Sequence, residues 1–196
     1  GGSCFKKDIL NLIYICDFYG LREVSSYWQK VLEINSWQKR RITDLIVNKL
    51  FGTLSGKKIS ILGFAFKANT NDTRESPAID ICNSLLEEGA NLSIYDPRVS
   101  LEQIEKDLSQ NNTFDLKPGL DTAKWKYEES IFSAANEADA IVILTEWSEF
   151  KNIDWAKISK IMRRPSWLFD TRLISDIEEN NLFGINIWKM GYGISN

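Results

Sequence analysis

The sequence predicts an α/β fold in which two helices precede a parallel sheet that is flanked by helices. Two observations lead to this prediction. Apolar residues recur at helical spacing through the first part of the chain. After Gly52 the pattern changes to short apolar runs that alternate with helical segments, which is typical of a parallel sheet. We therefore predict a helical segment at residues 1–54 and a sheet domain at residues 55–196.

The helical segment is predicted to contain two helices. The first covers residues 5–19 and ends at Gly20, a common helix stop. The second, which we call the central helix, runs from residue 21 to about residue 51 and contains neither Gly nor Pro. At 1.5 Å per residue, about 30 residues give a rod of roughly 45 Å. This length exceeds the needs of a small domain, so we expect the central helix to link two domains, to line a subunit interface, or to do both.

The sheet domain is predicted to contain five strands and three helices. The strands are expected at residues 58–62, 91–95, 140–145, 167–170 and 185–189, and the helices at residues 77–88, 128–138 and 155–163. Ser76 is predicted to cap the first of these helices, with Pro77 at its first position. Residues 106–125 are the least regular stretch, and we expect them to form an excursion on the surface.

The composition argues against several classes of protein. A net charge of −3 does not suit a nucleic-acid binder, which relies on clustered Lys and Arg, and no run reaches the roughly 18 apolar residues of a membrane span. Three widely spaced cysteines fit free thiols in the cytoplasm better than a disulfide framework. The sequence has no histidine, which excludes Ser-His-Asp or Cys-His catalysis and His-containing zinc sites within it. We expect no metal site.

The loop after the first predicted strand resembles a nucleotide-binding turn only in part. Its sequence, GFAFKA at residues 63–68, matches the first glycine of GxGxxG but not the others, so a dinucleotide is not expected on this turn. Lys67 could reach a phosphate or sugar oxygen of another nucleotide, or could simply be solvated. Arg74, in the following KANTNDTRESP, could bind a ligand or could neutralise Asp72 or Glu75.

Several longer motifs carry a more specific resemblance. GGSCFKKD at residues 1–8 is followed by the central helix, then by ILGFAFKANTNDTRESPAIDIC, IYDPRV, LTEWSEF and FDTR, in that order. The chain resembles the C-terminal half of the UDP-glucose 6-dehydrogenases, in the UDP-glucose/GDP-mannose dehydrogenase family, over nearly all of its length. The resemblance implies a Rossmann-like UDP-sugar-binding domain. It also implies that the chain is a fragment that lacks the N-terminal NAD-binding domain and is inactive alone.

The resemblance further implies an activity. Enzymes of this family oxidise UDP-glucose twice to UDP-glucuronate, using two NAD⁺. By resemblance, the Cys4 thiolate attacks the aldehyde-level intermediate to give a thiohemiacetal and then a thioester, and Asp8 orients or activates the water that hydrolyses it. Positive charge near a helix N-terminus favours a reactive thiolate, which agrees with the position of Cys4 beside Lys6 and Lys7. Cys16 and Cys82 instead occupy apolar helical stripes, which predicts that they are buried.

The remaining site residues follow from the same resemblance. It places Cys4, Phe5, Lys6 and Lys7 against the nicotinamide end of NAD, and Arg74 against NAD on the absent domain. It assigns contacts with the UDP-sugar to Gly1, Phe66, Lys67 and Arg172. A homo-oligomer that pairs through the central helix is also implied. Two alternatives stay open: a dehydrogenase of UDP-N-acetylmannosamine or GDP-mannose, and a non-enzymatic nucleotide-binding or assembly module.

Overall fold

Two helices open the chain and pack against each other across a turn at Gly20. The computed structural model describes residues 1–109, 125–177 and 184–192. Helix α1 spans Ser3–Phe18 and helix α2 spans Arg22–Lys49. Both confirm the prediction for this segment. The 28 residues of α2 correspond to about 42 Å at the standard helical rise.

The rest of the described chain forms one parallel sheet with helices between its strands. In chain order the elements are β1 (Lys58–Leu62), α3 (Pro77–Glu87), β2 (Asn91–Tyr95), α4 (Leu101–Ser109), β3 (Trp125–Tyr127), α5 (Ile131–Ala135), β4 (Ala140–Ile143), a short 3₁₀ turn (Ser148–Phe150), α6 (Trp155–Ile161), β5 (Ser166–Asp170) and β6 (Ile185–Lys189). The spatial order is β3-β2-β1-β4-β5-β6, and every strand pair is parallel. The chain reverses its winding direction between β1 and β4, where open sheets of this type bind ligands.

The central strands are buried on both faces, which explains their continuous apolar runs. All four residues of β4 are fully buried, and so are Ile59 and Ile61 of β1. The second half of α2 also contributes to this core through Ile42 and Ile46, and Leu50, directly after the helix, does the same. α2 is therefore packed on the sheet at one end, while its first half extends beyond it. The division at residues 54 and 55 stays a prediction.

Most predicted elements are confirmed. β1, β2 and β6 lie at the predicted residues, and the Ser76 hydroxyl accepts a hydrogen bond from the Ala78 N–H at the start of α3. The predicted helix at residues 128–138 is too long, because a capping box between Ser130 and Ser133 starts α5 later and Asn136 is already extended.

The predicted irregular stretch at residues 106–125 is wrong at both ends. Residues 106–109 belong to α4, and the stretch ends at β3, a strand that was not predicted. In α4 the two buried apolar residues, Ile104 and Leu108, form a stripe too narrow to stand out in a polar sequence. β3 has only three residues and lies at the edge of the sheet. Residues 110–124 lie outside the described part of the chain.

Candidate active site at the carboxyl edge of the sheet

The turn after β1 is closed by its neighbours on the sheet. Gly63 has a φ of +91°, and a Cβ there would overlap the Thr145 side chain beyond β4. The Thr145 hydroxyl donates to the Ala65 carbonyl at 2.6 Å. A glycine is therefore required at position 63 by the positive φ and by this close approach.

Asp96, directly after β2, joins three strand ends. Its buried carboxylate accepts from the backbone N–H groups of Phe64 and Ala65 at 2.6 and 3.0 Å, and from the Trp147 indole at 3.1 Å. Its other oxygen accepts from two backbone N–H groups of its own loop, at 2.8 and 2.9 Å. In a dinucleotide-binding turn, free backbone N–H groups face the pyrophosphate. Here a carboxylate already occupies two of them, so this turn does not fit the pyrophosphate of NAD.

The same turn directs Phe66 and Lys67 away from the core. Phe66 is half-buried and Lys67 is exposed. The Lys67 ammonium lies 5.3 Å from the centroid of the Phe66 ring, within cation–π range. The two residues thus present an aromatic surface next to a cation at the switch point of the sheet.

Arg172 is held at the same edge by the loops after β4 and β5. Its Nε–H donates to the Leu144 carbonyl at 2.7 Å, and Glu146 Oε2 lies 3.5 Å from the same nitrogen. The other Glu146 oxygen accepts from the Ala68 N–H at 3.3 Å, which connects this loop to the turn that carries Lys67. Buried Asp170 accepts from the Arg172 N–H at 3.0 Å and fixes the backbone. Lys67 and Arg172 therefore belong to one connected edge of the sheet.

The first turn of α1 is docked on this edge. The Gly2 N–H donates to the Glu75 carbonyl at 3.2 Å. Gly2 has a φ of +91°, and a Cβ there would lie 2.9 Å from the Phe66 ring, while a Cβ on Gly1 would lie 2.5 Å from Pro77 Cδ. This contact brings exposed Cys4, near the start of α1, to the side of the sheet that carries Phe66. Asp8 is one helical turn further on and therefore on the same face of α1.

Two ion pairs fix the charged residues of the loop before α3. The Arg74 guanidinium donates to both Asp72 carboxylate oxygens, at 3.0 and 2.8 Å, which lowers the pKa of Asp72 to about 2. The same hydrogen bonds raise the pKa of Arg74, to which the nearby Cys4 sulfur adds a smaller contribution. Lys6 pairs with both oxygens of Glu75, at 2.9 and 3.1 Å. The structure thus shows the ion pair of Arg74 with Asp72, and the NAD contact that the resemblance implies for Arg74 stays a prediction.

The three cysteines differ as predicted. Cys16 and Cys82 are buried, and burial raises the pKa of the Cys82 thiol. Cys4 is exposed. Among the other expected site residues, Phe5 and Lys6 line a small groove between α1 and α2, and Lys7 is exposed on α1.

The contacts of three residues at this edge, Asp96, Glu75 and Glu146, were not predicted from the sequence. The network around Asp96 had one signal, an acidic residue directly before Pro97 at a strand end. Glu75 and Glu146 had none, because their partners are far away in the chain.

The described residues were also searched for metal-ligand clusters and for membrane-spanning helices. In residues 1–109, 125–177 and 184–192, no three His, Cys, Asp or Glu side chains are grouped as metal ligands would be. Within the same ranges, no helix is both long enough and apolar enough to cross a membrane.

Comparison with known proteins identifies the family. Residues 60–177 match the UDP-binding domain of the UDP-glucose/GDP-mannose dehydrogenase family. The chain is 48% identical to UDP-glucose 6-dehydrogenase 1 of Glycine max and 46% identical to UDP-glucose 6-dehydrogenase 2 of Arabidopsis thaliana, covering 97% of this chain in each case. It spans 41% of the length of these curated relatives.

Solved structures agree with this match. A UDP-glucose dehydrogenase from Pyrobaculum islandicum is 27% identical with a TM-score of 0.70, over 96% of this chain and 37% of that one. A GDP-mannose dehydrogenase from Pseudomonas aeruginosa shares the fold, with a TM-score of 0.63 at 21% identity, over 95% of this chain and 39% of that one. Together with the sheet order and the closed β1 turn, these matches show that the chain belongs to the UDP-glucose/GDP-mannose dehydrogenase family.

Proposed function

We propose that this chain is the substrate-binding part of a UDP-glucose 6-dehydrogenase, with residues 1–54 carrying the nucleophile and residues 55–196 binding the UDP-sugar. The observation that carries the proposal is the docking of α1: exposed Cys4 follows two glycines that fit against Phe66 and Pro77, at the edge that also carries Lys67 and Arg172. Relatives of this sequence are named for the same activity.

The residues of this edge suit a nucleoside diphosphate sugar. Lys67 and Arg172 are cations that can pair with phosphate oxygens, and the Phe66 ring offers an apolar face to a base or sugar. Gly1 has no side chain and contributes only backbone. Arg172 is already oriented by Leu144 and Asp170, so little of its rotamer freedom would be lost on binding.

Cys4 would carry the covalent step. Its sulfur forms a bond to the aldehyde carbon of the half-oxidised sugar, while the carbonyl π electrons move to oxygen, which takes a proton. Loss of a hydride from that carbon, and of the proton from the hydroxyl oxygen as the C=O bond re-forms, leaves a thioester. Water then adds to the thioester, the C–S bond breaks, and UDP-glucuronate and the thiolate are released. Asp8, on the same face of α1, would orient this water and accept its proton.

NAD⁺, when bound, would supply the hydride acceptor for both oxidations. The β1 turn of this chain does not fit its pyrophosphate, because Asp96 occupies the N–H groups of that turn. By resemblance, Cys4–Lys7 at the start of α1 would meet its nicotinamide end, and Arg74, on the adjoining loop, would reach NAD bound outside this chain. The cofactor's phosphates would be bound by a part of the enzyme outside this chain.

We also propose that two copies pair through α1 and α2. α1, α2 and the turn between them carry several exposed large apolar side chains: Tyr14, Phe18, Tyr19, Val24, Tyr27, Ile34 and Trp37. Burial of one such side chain is worth roughly 1.5–3 kcal/mol, so a second copy of the same surface would be stabilising. Free thiols at Cys4, Cys16 and Cys82 support a reducing compartment, and we keep the cytoplasm as the proposed location.

The test is an assay of the complete enzyme with three sugars and NAD⁺, following NADH. We expect UDP-glucose to be oxidised with two NADH formed per UDP-glucuronate. UDP-N-acetylmannosamine and GDP-mannose should react at least about tenfold more slowly, because site groups that the wrong sugar leaves unpaired cost affinity. Preferential oxidation of UDP-N-acetylmannosamine or GDP-mannose would identify that sugar as the substrate instead of UDP-glucose. Oxidation of none of the three would support the non-enzymatic alternative.

A further inference from the structure

Glu75 links the nucleophile helix to the sheet domain through both its side chain and its backbone. Its carboxylate accepts two hydrogen bonds from the Lys6 ammonium, and its carbonyl accepts from the Gly2 N–H. A Cβ on Gly1 would also lie 3.3 Å from the same carbonyl oxygen. Cys4 lies between Gly2 and Lys6 in the sequence, so the Glu75 contacts bracket the nucleophile on both sides.

The backbone of Glu75 is itself held in an unusual conformation. Its φ is +55°, in the left-handed region, which is unfavourable for a residue with a side chain. The neighbouring residues fix it: the Ser76 N–H donates to the Thr73 carbonyl, and the Ser76 hydroxyl donates to the Phe64 carbonyl in the β1 turn. The turn that receives α1 is thus tied to the turn that carries Phe66 and Lys67.

The Lys6–Glu75 pair is too exposed to contribute much to stability. The two side chains are 52% and 40% exposed, and pairs as exposed as this contribute little to stability because water screens their attraction. The ion pair and the hydrogen bond from the Gly2 N–H together still restrict where the first turn of α1 can lie. Displacement of a reacting group by about 1 Å can cost on the order of 100-fold in rate, far more than the pair contributes to folding.

We propose that Glu75 is a positioning residue that holds the first turn of α1, and with it Cys4, against the sugar-binding edge of the sheet. The inference rests on the proposed function, because it assumes that Cys4 attacks the sugar. It assigns Lys6 a role as the partner of Glu75, which differs from the cofactor contact implied by resemblance. Glu75 is not expected to touch the substrate.

The experiment uses the complete enzyme with Glu75→Gln, and with Lys6→Glu and Glu75→Lys separately and together. We expect Glu75→Gln to lower kcat for acid formation at least about tenfold, with the KM for UDP-glucose within about twofold, since the interaction is made to the nucleophile helix and not to the substrate. The midpoint of thermal unfolding should stay unchanged. The double charge reversal should recover most of the kcat that each single reversal loses.

Glu33→Gln is the matched control. Glu33 forms a similarly exposed pair with Lys30 at 2.7 Å on α2, with side chains 51% and 64% exposed. We expect its kcat to equal that of the parent. A Glu75→Gln enzyme with unchanged kcat would overturn the inference. So would a double reversal without recovery, which would mean that Lys6 or Glu75 touches substrate or cofactor directly. Failure of the proposed function would instead appear in the parent enzyme, as absence of UDP-glucose oxidation.

Discussion

Asp96→Ala tests the idea that one carboxylate organises the carboxyl edge of the sheet. In the structure this side chain is 1% exposed and accepts five hydrogen bonds, from four backbone N–H groups and the Trp147 indole. Alanine removes the acceptor and leaves these donors facing a small cavity. The loops that follow β1, β2 and β4 then lose the carboxylate that joins them.

The expected loss of stability can be estimated from the donors that Asp96 leaves without an acceptor. Four of the five hydrogen bonds are buried. An unsatisfied buried donor costs about 1–3 kcal/mol, so four give a gross cost of about 4–12 kcal/mol. Relief of the desolvation penalty of a buried carboxylate, worth several kcal/mol, and entry of water offset part of it. We therefore expect the free energy of unfolding to fall by about 3–5 kcal/mol.

Urea unfolding of the chain at neutral pH measures this loss. Asp154→Ala is the matched control, because Asp154 is an exposed aspartate that caps α6 by accepting a hydrogen bond from the Lys157 N–H at 3.1 Å and forms an exposed ion pair with the Lys157 ammonium. Loss of such a cap costs about 1 kcal/mol. If Asp96→Ala were no more destabilising than Asp154→Ala, the network around Asp96 would not hold the edge together.

Two further predictions concern titration and access. Asp72 should titrate near pH 2 by NMR, because its pKa is lowered to about 2 by Arg74, and Arg74→Gln should return it toward the ordinary range near 4. Because the folded-state pKa is depressed, the stabilisation from Asp72 is complete above the unfolded-state pKa and is lost as the pH falls toward 2. Iodoacetamide should modify Cys4 in the native chain and leave Cys16 and Cys82 unmodified until urea unfolds it; rapid modification of either buried thiol would contradict the described packing.

Self-association through α1 and α2 can be measured by light scattering of the chain at micromolar concentration. Tyr27→Glu, on a side chain 64% exposed, should shift a dimer toward monomer, whereas Phe132→Glu, also exposed but on α5, should not. A monomeric parent chain would remove the support for pairing through α1 and α2.

The fold was largely predictable because the core strands carry continuous apolar runs. β1, β2 and β6 were predicted to the residue, since their apolar character changes abruptly at each end. α4 and β3 were missed for the opposite reason. Only Ile104 and Leu108 of α4 are buried, and the three residues of β3 are recognisable as a strand only when paired with β2.

The candidate site was less predictable because its contacts cross the chain. The family resemblance identified Cys4 as the nucleophile, and its place at a helix start, outside the apolar stripes that hold Cys16 and Cys82, agrees with that choice. The partners of Lys6 and Asp96 could not be identified in this way. Glu75 is 69 residues from Lys6, and Trp147 is 51 residues from Asp96. These pairs meet only after the parallel sheet has brought its strand ends to one edge and α1 has docked on it.

The replacement of Cys4 by serine in the complete enzyme tests the central claim most directly. A serine hydroxyl is far less ionised than a thiol at neutral pH, so it cannot form the covalent adduct at a useful rate. We expect Cys4→Ser to abolish sustained formation of UDP-glucuronate, while the Kd for UDP-glucose by calorimetry stays within about threefold of the parent, because Phe66, Lys67 and Arg172 are unchanged. Sustained production of UDP-glucuronate by Cys4→Ser at a rate within about threefold of the parent would contradict covalent catalysis by Cys4.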